Sequence, residues 1–310
     1  MSASVLYDAP GPKTRRNSRI ASIIGIIAIV GFLVWLYFSL AAPRVSASGV
    51  ETPGMFDWSR WDVILLPDLW ANFGRGVLAT LQMAAVAALL AFVVGVAFSF
   101  ARTARSALIR IPTSIILEFF RGMPVLLMIL FIFLVFTTGS YWAGVLGLGI
   151  YNGAIIGEAL RAGIKSLPRG QREAGFAIGL SPVYTRVLIE FPQAFRQMLP
   201  IIIAQFVVLL KDTSLAYIVA YNELSRTIKN MQNFLGNRYL FTIFIIGLVL
   251  YLILNLTLSW VARVVARRSG PKAGKVTPTD SAAPAPLGAE GTRAITLPAR
   301  PGERQRPPGQ

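Results

Sequence analysis

The sequence has no cysteine and no histidine among its 310 residues. A cysteine nucleophile, a histidine general base and any Cys/His metal centre are therefore excluded in this chain, and no metal site or catalytic residue is expected. Charge is also scarce, at 14% of residues, and acids are scarcer than bases, 14 against 30. A soluble globular domain carries more charge and less than the 55% hydrophobic residues found here. The surplus of +16 is not a basic patch. Lys and Arg fall mostly at the ends of apolar runs, the pattern of membrane topology rather than of nucleic-acid binding, so the bilayer is the expected partner and nucleic acid is not.

What the chain does have is long apolar runs, each near the roughly 20 residues that a hydrocarbon core requires. Six are expected to span: Ile20–Leu40, Val77–Phe100, Thr113–Thr137, Tyr141–Ile164, Met198–Ala220 and Tyr239–Ala266. A cleaved signal peptide is the competing reading of the first, but it exceeds the usual apolar length and no small-x-small site follows closely. Lys13, Arg15, Arg16 and Arg19 precede span one. Arg102, Arg105 and Arg110 follow span two, a basic series from Arg161 to Arg196 follows span four, and Arg263, Arg267 and Arg268 close span six. Alternating spans place all of these on one side, the cytoplasm, with both termini inside.

The expected organisation is a cytoplasmic segment 1–19, an extra N-terminal helix 20–40 and an extracytoplasmic segment 41–76. A core 77–267 follows, with a cytoplasmic loop 168–192, and then a disordered cytoplasmic tail 268–310. In segment 41–76, FDWSRWDVILLPDLWANF mixes Trp58, Trp61 and Trp70 with acids. It reads as an interfacial elbow on the outer leaflet or an exposed loop. The tail is rich in Pro, Ala, Thr and Gly. GPKAGKV at its start has the wrong spacing for an ATP-binding loop and no Ser or Thr after Lys275.

EAGFAIGLSPVYTRVLIEFP, Glu173 to Pro192, is too polar to span. Its signals describe two short helices. Pro168 sits ahead of the first, which runs to about Ile178, and Gly179 is placed to end it in a left-handed conformation. Ser181-Pro182 starts the second, and Pro192 limits it. Ala174 and Gly175 leave the first helix almost bare, so another surface can approach it. A protein partner and a resting place on the inner leaflet both fit.

Several charges lie inside the spans, where each costs about 2.5–3.5 kcal/mol on insertion scales. Glu118 and Arg121, and Glu158 and Arg161, are three apart and share a helix face. They read as mutual neutralisation or as part of a transport route or inner gate. Lys211 and Asp212, in the middle of span five, point about 100° apart and cannot simply face each other. With Thr213 and Ser214 beside them they read as a polar substrate path or as structural pairing. Gly149, Gly153 and Gly157 form a smooth face for helix packing.

The pattern Glu-Ala-Ala, three residues, Gly, nine residues, Ile, one residue, Leu-Pro marks bacterial importer permeases of the ATP-binding cassette class. The chain resembles it, with Glu173, Ala174, Gly175, Gly179, Ile189, Phe191 and Pro192 at the pattern's places, and departs from it in having Gly175 for Ala and Phe191 for Leu. EFFRGMP, YNGAIIGEALRAGIKSLPRGQREA and LLKDTSLAY are similar to its polar amino-acid branch, most of all to actinobacterial glutamate permeases. The resemblance covers about Leu69 to Arg267. It implies an all-α membrane protein of the type I importer (MetI-like) fold, with five core helices plus the N-terminal one, that imports a polar amino acid such as glutamate. It also implies that the loop docks on separate ATPase subunits, which hold ATP and Mg, while this chain binds no cofactor and is not an enzyme. A second permease subunit and an extracytoplasmic binding protein complete the expected complex. An ion-gradient-driven secondary transporter is the alternative; no internal repeat of the kind such folds show is visible.

Overall fold

The computed structural model describes residues 11–45, 49 and 51–269. The expected tail therefore lies outside the described residues, except for 268 and 269, as does the rejected GPKAGKV stretch. The described chain is almost wholly helical. In order come α1 (Pro12–Ala41), α2 (Pro67–Arg102), α3 (Ala107–Gly122), α4 (Val125–Phe136), α5 (Gly139–Ser166), α6 (Arg169–Ala177), α7 (Pro182–Thr185), α8 (Phe191–Asp212), α9 (Leu224–Leu235) and α10 (Leu240–Ser269). Two two-residue strands, β1 (Arg44–Val45) and β2 (Glu51–Thr52), pair antiparallel after α1. Five helical stretches are long and apolar enough to cross a membrane, or six if the bent pair α3–α4 counts as one.

That bend corrects the expected straight third span. α3 and α4 meet at 106° across Met123-Pro124. Pro124 removes a backbone donor and pushes Met123 out of helical conformation, to φ −82°, ψ 130°. At 1.5 Å per residue α4 alone is about 18 Å long, well short of a hydrocarbon core of about 30 Å.

The core is built on α2 against α5. Gly149, Gly153 and Gly157 make this contact close: a β-carbon on each would press on Leu90, on Val94 and on Phe98. Met83, Ala87 and Ala91 of α2 and Leu148, Ile156 and Leu160 of α5 are fully buried there, joined by Ile129 of α4 and by Ile202 and Leu209 of α8. Asn152 is buried in the same layer and accepts a bond from Gln205 of α8 at 2.7 Å. A second core joins Leu69 and Phe73 of α2 to Leu224 of α9 and Ile243 and Ile246 of α10.

α2 begins at Pro67 rather than at Val77, so the expected elbow is only its first part. Two 3-10 turns, 58–60 and 62–65, form it. Asp57 caps the first by accepting the Ser59 N–H. Buried Arg60 donates to the carbonyls of Pro53 and Arg238, and its own carbonyl accepts from Thr242 at 2.6 Å. The elbow is thereby fastened to the start of α10. α9 is an element that hydropathy missed: it is amphipathic, its apolar side lies on α2 and α10, and the Leu224 N–H donates to buried Thr80. α1 is exposed along its length and touches the rest near its end, where Tyr37 stacks on Phe56 with ring centres 5.2 Å apart.

Candidate functional site

The loop after α5 has the expected turn chemistry. Gly179 has φ +80°, which carries a penalty for any residue with a β-carbon. Its N–H reaches the Phe176 carbonyl at 3.0 Å, and the Leu180 N–H reaches Gly175 at 3.1 Å. These are the paired bonds of a Schellman ending. Ser181 then accepts the Tyr184 N–H and starts α7.

Two parts of the loop differ from expectation. Pro192 does not end the second helix. α7 runs through a π-helical turn, 186–190, straight into α8, and Pro192 sits in the first turn of α8. A proline there forfeits only one bond, and the wide turn before it absorbs the loss. Gly175 does not open a face to an outside partner. It is buried, and a β-carbon there would lie 2.6 Å from Thr185 Cγ2 and 3.1 Å from Ile189 Cδ1. The missing side chain admits the loop's own second half. Glu173, Ala174, Gly179 and Pro192 are exposed and Ile189 is half-buried. The outward face also carries Ile178, Val183, Tyr184 and Leu188, the first 74% exposed.

A buried carboxylate that sequence reasoning passed over holds this loop to α8. Glu190 is 4% exposed and receives Arg172 of α6 at 2.7 Å, with Arg186 at 3.9 Å. It sits inside the IEFP stretch, where only its neighbours were read.

Both i,i+3 pairs form. Arg121 lies 3.3 Å from Glu118, and Arg161 donates twice to Glu158. Arg102, noticed only as a topology marker, joins them: it donates to Glu158 at 2.6 Å and to Glu118 at 2.9 Å. The ends of α2 and α3 and the last third of α5 are thus tied by one five-membered charge network. Three Arg against two Glu leave it with a net charge of +1.

Lys211 and Asp212 are not mid-helix. They are the last residues of α8, and a 3-10 turn, 213–219, follows and ends at Ala220 with φ +61°. Lys211 is exposed and pairs with no carboxylate among the described residues. Asp212 is half-buried. Thr213 is buried and spends its hydroxyl on the Leu210 carbonyl at 2.7 Å, while Ser214 lines a cleft with Lys211. The four residues are therefore not gathered on one surface.

The Glu223 cluster had a legible signal, a capping residue before a helical pattern, but was not singled out. Glu223 is fully buried and accepts the N–H groups of Ser225 at 2.7 Å and Arg226 at 2.8 Å and the Tyr251 hydroxyl at 2.8 Å. Burial raises its pKa above the ordinary carboxylate value, and these donors offset part of the rise.

Helix lengths, buried small-residue contacts and a bent span define a multi-pass helical membrane protein with a structured loop at one end. Residues 92–270 match the family described as "Binding-protein-dependent transport system inner membrane component". The chain belongs to that family. It is 35% identical over 225 residues to the glutamate transport system permease protein GluD of Corynebacterium glutamicum, covering 69% of this chain and 81% of that one. Over 221 residues it is 31% identical to the glutamine transport system permease protein GlnP of Escherichia coli, covering 69% and 97%. Among solved structures, an amino acid ABC transporter with histidines matches with a TM-score of 0.60 at 25% identity, over 67% of this chain and 98% of that one. The methionine transporter MetNI, at 20% identity and a TM-score of 0.55, shows the shared fold. The family's members are membrane components of transport systems. This chain is accordingly a permease subunit and not an enzyme, and a binding protein and an ATPase act beside it.

Proposed function

We propose that the chain is the permease of an ATP-driven importer for a polar amino acid, glutamate or a close relative such as glutamine. The similarity to glutamate and glutamine permeases over about two thirds of the chain supports this substrate class. The observation that carries the mechanism is the loop 168–192. Its two short helices are held in one shape by the Gly179 ending, the Ser181 cap and the Glu190–Arg172 pair, and they present exposed apolar side chains. Exposed Ile178, Val183, Tyr184 and Leu188 next to exposed Glu173 and Ala174 suit a protein cleft.

In this reading the loop and both termini face the cytoplasm of a bacterial cell. The loop docks on a separate ATPase that binds ATP and Mg, a second permease subunit pairs with this one, and a binding protein delivers the amino acid from outside. The polar path runs past Lys211, Asp212 and Ser214, with Thr213 bracing the turn. Glu118, Arg121, Glu158 and Arg161, gathered by Arg102, close its inner end.

Copurification and uptake test this together. An ATPase should copurify with the full chain and be lost when Ile178 and Tyr184 are both changed to Asp. Uptake of labelled L-glutamate or L-glutamine should require ATP. Uptake that persists without any ATPase and follows an ion gradient would overturn the proposal.

A further inference from the structure

We propose that the pocket between the end of α2 and α7 binds the phosphate of an anionic phospholipid, held between Arg105 and Arg186. The proposal goes beyond the import reading and is independent of the cargo: it gives the loop a lipid ligand.

The pocket measures about 270 Å³ and is lined by Phe100, Ala104, Arg105, Pro182, Val183 and Arg186. Arg186 is mostly buried and poorly paired. Its Nε has no hydrogen-bond partner among the described residues, and the carboxylate beside it, Glu190, lies 3.9 Å away. Glu190 is committed instead to Arg172 at 2.7 Å. Arg105 is exposed and pairs with no carboxylate among the described residues. Arg105 and Arg172 both stand near enough to Arg186 to repel it. Three Arg thus gather round one Glu, a surplus of +2 where a partly buried charge needs a partner. The pocket lies between two of these cations, so one anion there answers both.

The apolar surroundings narrow the ligand class. Phe100 ends the expected second span and α2 stops at Arg102, so Arg105 stands at the depth of the lipid headgroups. Just beyond it, α3 turns Leu108, Ile111 and Ile115 outward, the first 88% exposed, an apolar side that suits acyl chains. A free phosphate satisfies the arginines but leaves Phe100, Ala104 and Pro182 facing water. A zwitterionic lipid brings an ammonium that the surplus positive charge repels. An anionic lipid lays its phosphate between the arginines and its glycerol and first methylenes on Phe100 and Pro182. Basic pockets between spans on the cytoplasmic side suit such headgroups. The bound lipid also cancels the repulsion between Arg105 and Arg186, and so ties α7 to the end of α2.

The test places the full chain with its ATPase in nanodiscs of phosphatidylcholine, with or without phosphatidylglycerol. It reads the denaturation midpoint and, by native mass spectrometry, the lipid kept on release. Wild type should keep phosphatidylglycerol in preference to phosphatidylcholine and show a higher midpoint in its presence. Arg186→Gln should weaken retention about tenfold or more. Arg105→Gln, which removes no ion pair among the described residues, should do the same even if Arg186→Gln misfolds. Ala104→Glu sets a carboxylate in the pocket and should remove both the retention and the midpoint's dependence on phosphatidylglycerol. Arg169→Gln, in the same loop but outside the pocket, should stay within about twofold of wild type. Equal retention of the two lipids by wild type overturns the proposal. So does a loss from Arg169→Gln as large as that from Arg105→Gln, which would show a general basic surface. Inorganic phosphate that raises the midpoint in phosphatidylcholine as much as phosphatidylglycerol does would show a free-anion site instead. Retention by the full chain alone that disappears once the ATPase binds would assign the arginines to an acidic side chain of that subunit, and likewise overturns it.

Discussion

Adding one methyl group to Gly175 tests how the loop is assembled. The β-carbon of Gly175→Ala would fall 2.6 Å from Cγ2 and 2.9 Å from Oγ1 of Thr185, and 3.1 Å from the tip of Ile189. Contacts this short force a shift, and overpacking of this kind costs about 1–3 kcal/mol. Alanine also favours the helix by about 1 kcal/mol relative to glycine, so the single change should destabilise by about 0–2 kcal/mol. Thr185→Ala removes both of the closest atoms. Its hydroxyl is buried with no hydrogen-bond partner among the described residues, so losing it costs little, while the lost methyl costs about 0.8 kcal/mol. In that background Gly175→Ala should be neutral to stabilising, because only the tip of Ile189, the far end of a flexible side chain at 3.1 Å, remains to set against the helix preference. The cycle therefore has a coupling of about 1–3 kcal/mol in favour of the double variant. The midpoint of thermal denaturation and the retention of the ATPase on the full chain, measured for all four proteins, read it out. Additive effects would show that Gly175 and Thr185 do not pack together, and the account of the loop would fail.

Three further outcomes follow from particular residues. Gly179→Ala should lower loop stability by about 1 kcal/mol because φ +80° strains a β-carbon, and Gly179→Asn should recover part of it, read as ATPase retention. The lack of cysteine permits clean labelling: a cysteine at Ser106 or Ser181 should react only with membrane-permeant reagents and one at Asn233 with impermeant ones, and the reverse pattern would sink the orientation. Burial raises the Glu223 pKa above its unfolded value, so its contribution to stability is fully present below the unfolded value and is lost as pH rises through the folded one. Acidifying from about pH 7 to pH 5 should then raise the denaturation midpoint of wild type more than that of Glu223→Gln, and equal slopes would refute the assignment.

The helical class and the loop were legible because each rests on local chemistry. Apolar runs announce themselves by length. Gly179 and Ser181-Pro182 carry their conformations in their own side chains. What stayed hidden depends on distant partners or on continuity. Nothing near Arg102 shows that it meets Glu118 and Glu158 on two other helices. Pro192 read as a stop because a π-helical turn ahead of it has no sequence mark. α9 is too short and too polar for a hydropathy window, and its apolar side acquires meaning only against Leu69 and Phe73. Lys211 and Asp212 read as mid-span because the apolar run continues past them, although the α-helical geometry stops there. Gly175 read as outward because a bare helix face does not say which neighbour it admits.

The loop and the cleft share one element. α8 begins at the π-helical turn that carries Glu190 and ends at Lys211 and Asp212. Its 22 residues measure about 33 Å, so the two ends cannot touch a common ligand, and influence between them has to pass through protein. α8 runs unbroken between them, with Pro200 in its interior removing one ladder bond, so a shift at one end reaches the other in part, as it would not through a flexible linker. At the loop end, Arg172 ties α6 to Glu190, so α6 does not move freely of the start of α8. At the other end the helix tightens into a 3-10 turn whose first residue, Thr213, is bonded back to Leu210, so a rotation there re-aims Lys211 and Ser214 relative to the hydroxyls of Ser225 and Tyr251. Breaking the Glu190–Arg172 pair should therefore disturb the cleft without any change in the residues that line it. Arg172→Met leaves Glu190 buried with only Arg186 beside it. Uptake by the assembled complex should fall in that variant while the thermal midpoint and ATPase retention stay as in wild type. A lowered midpoint or a lost ATPase would show a local folding defect rather than transmission along α8.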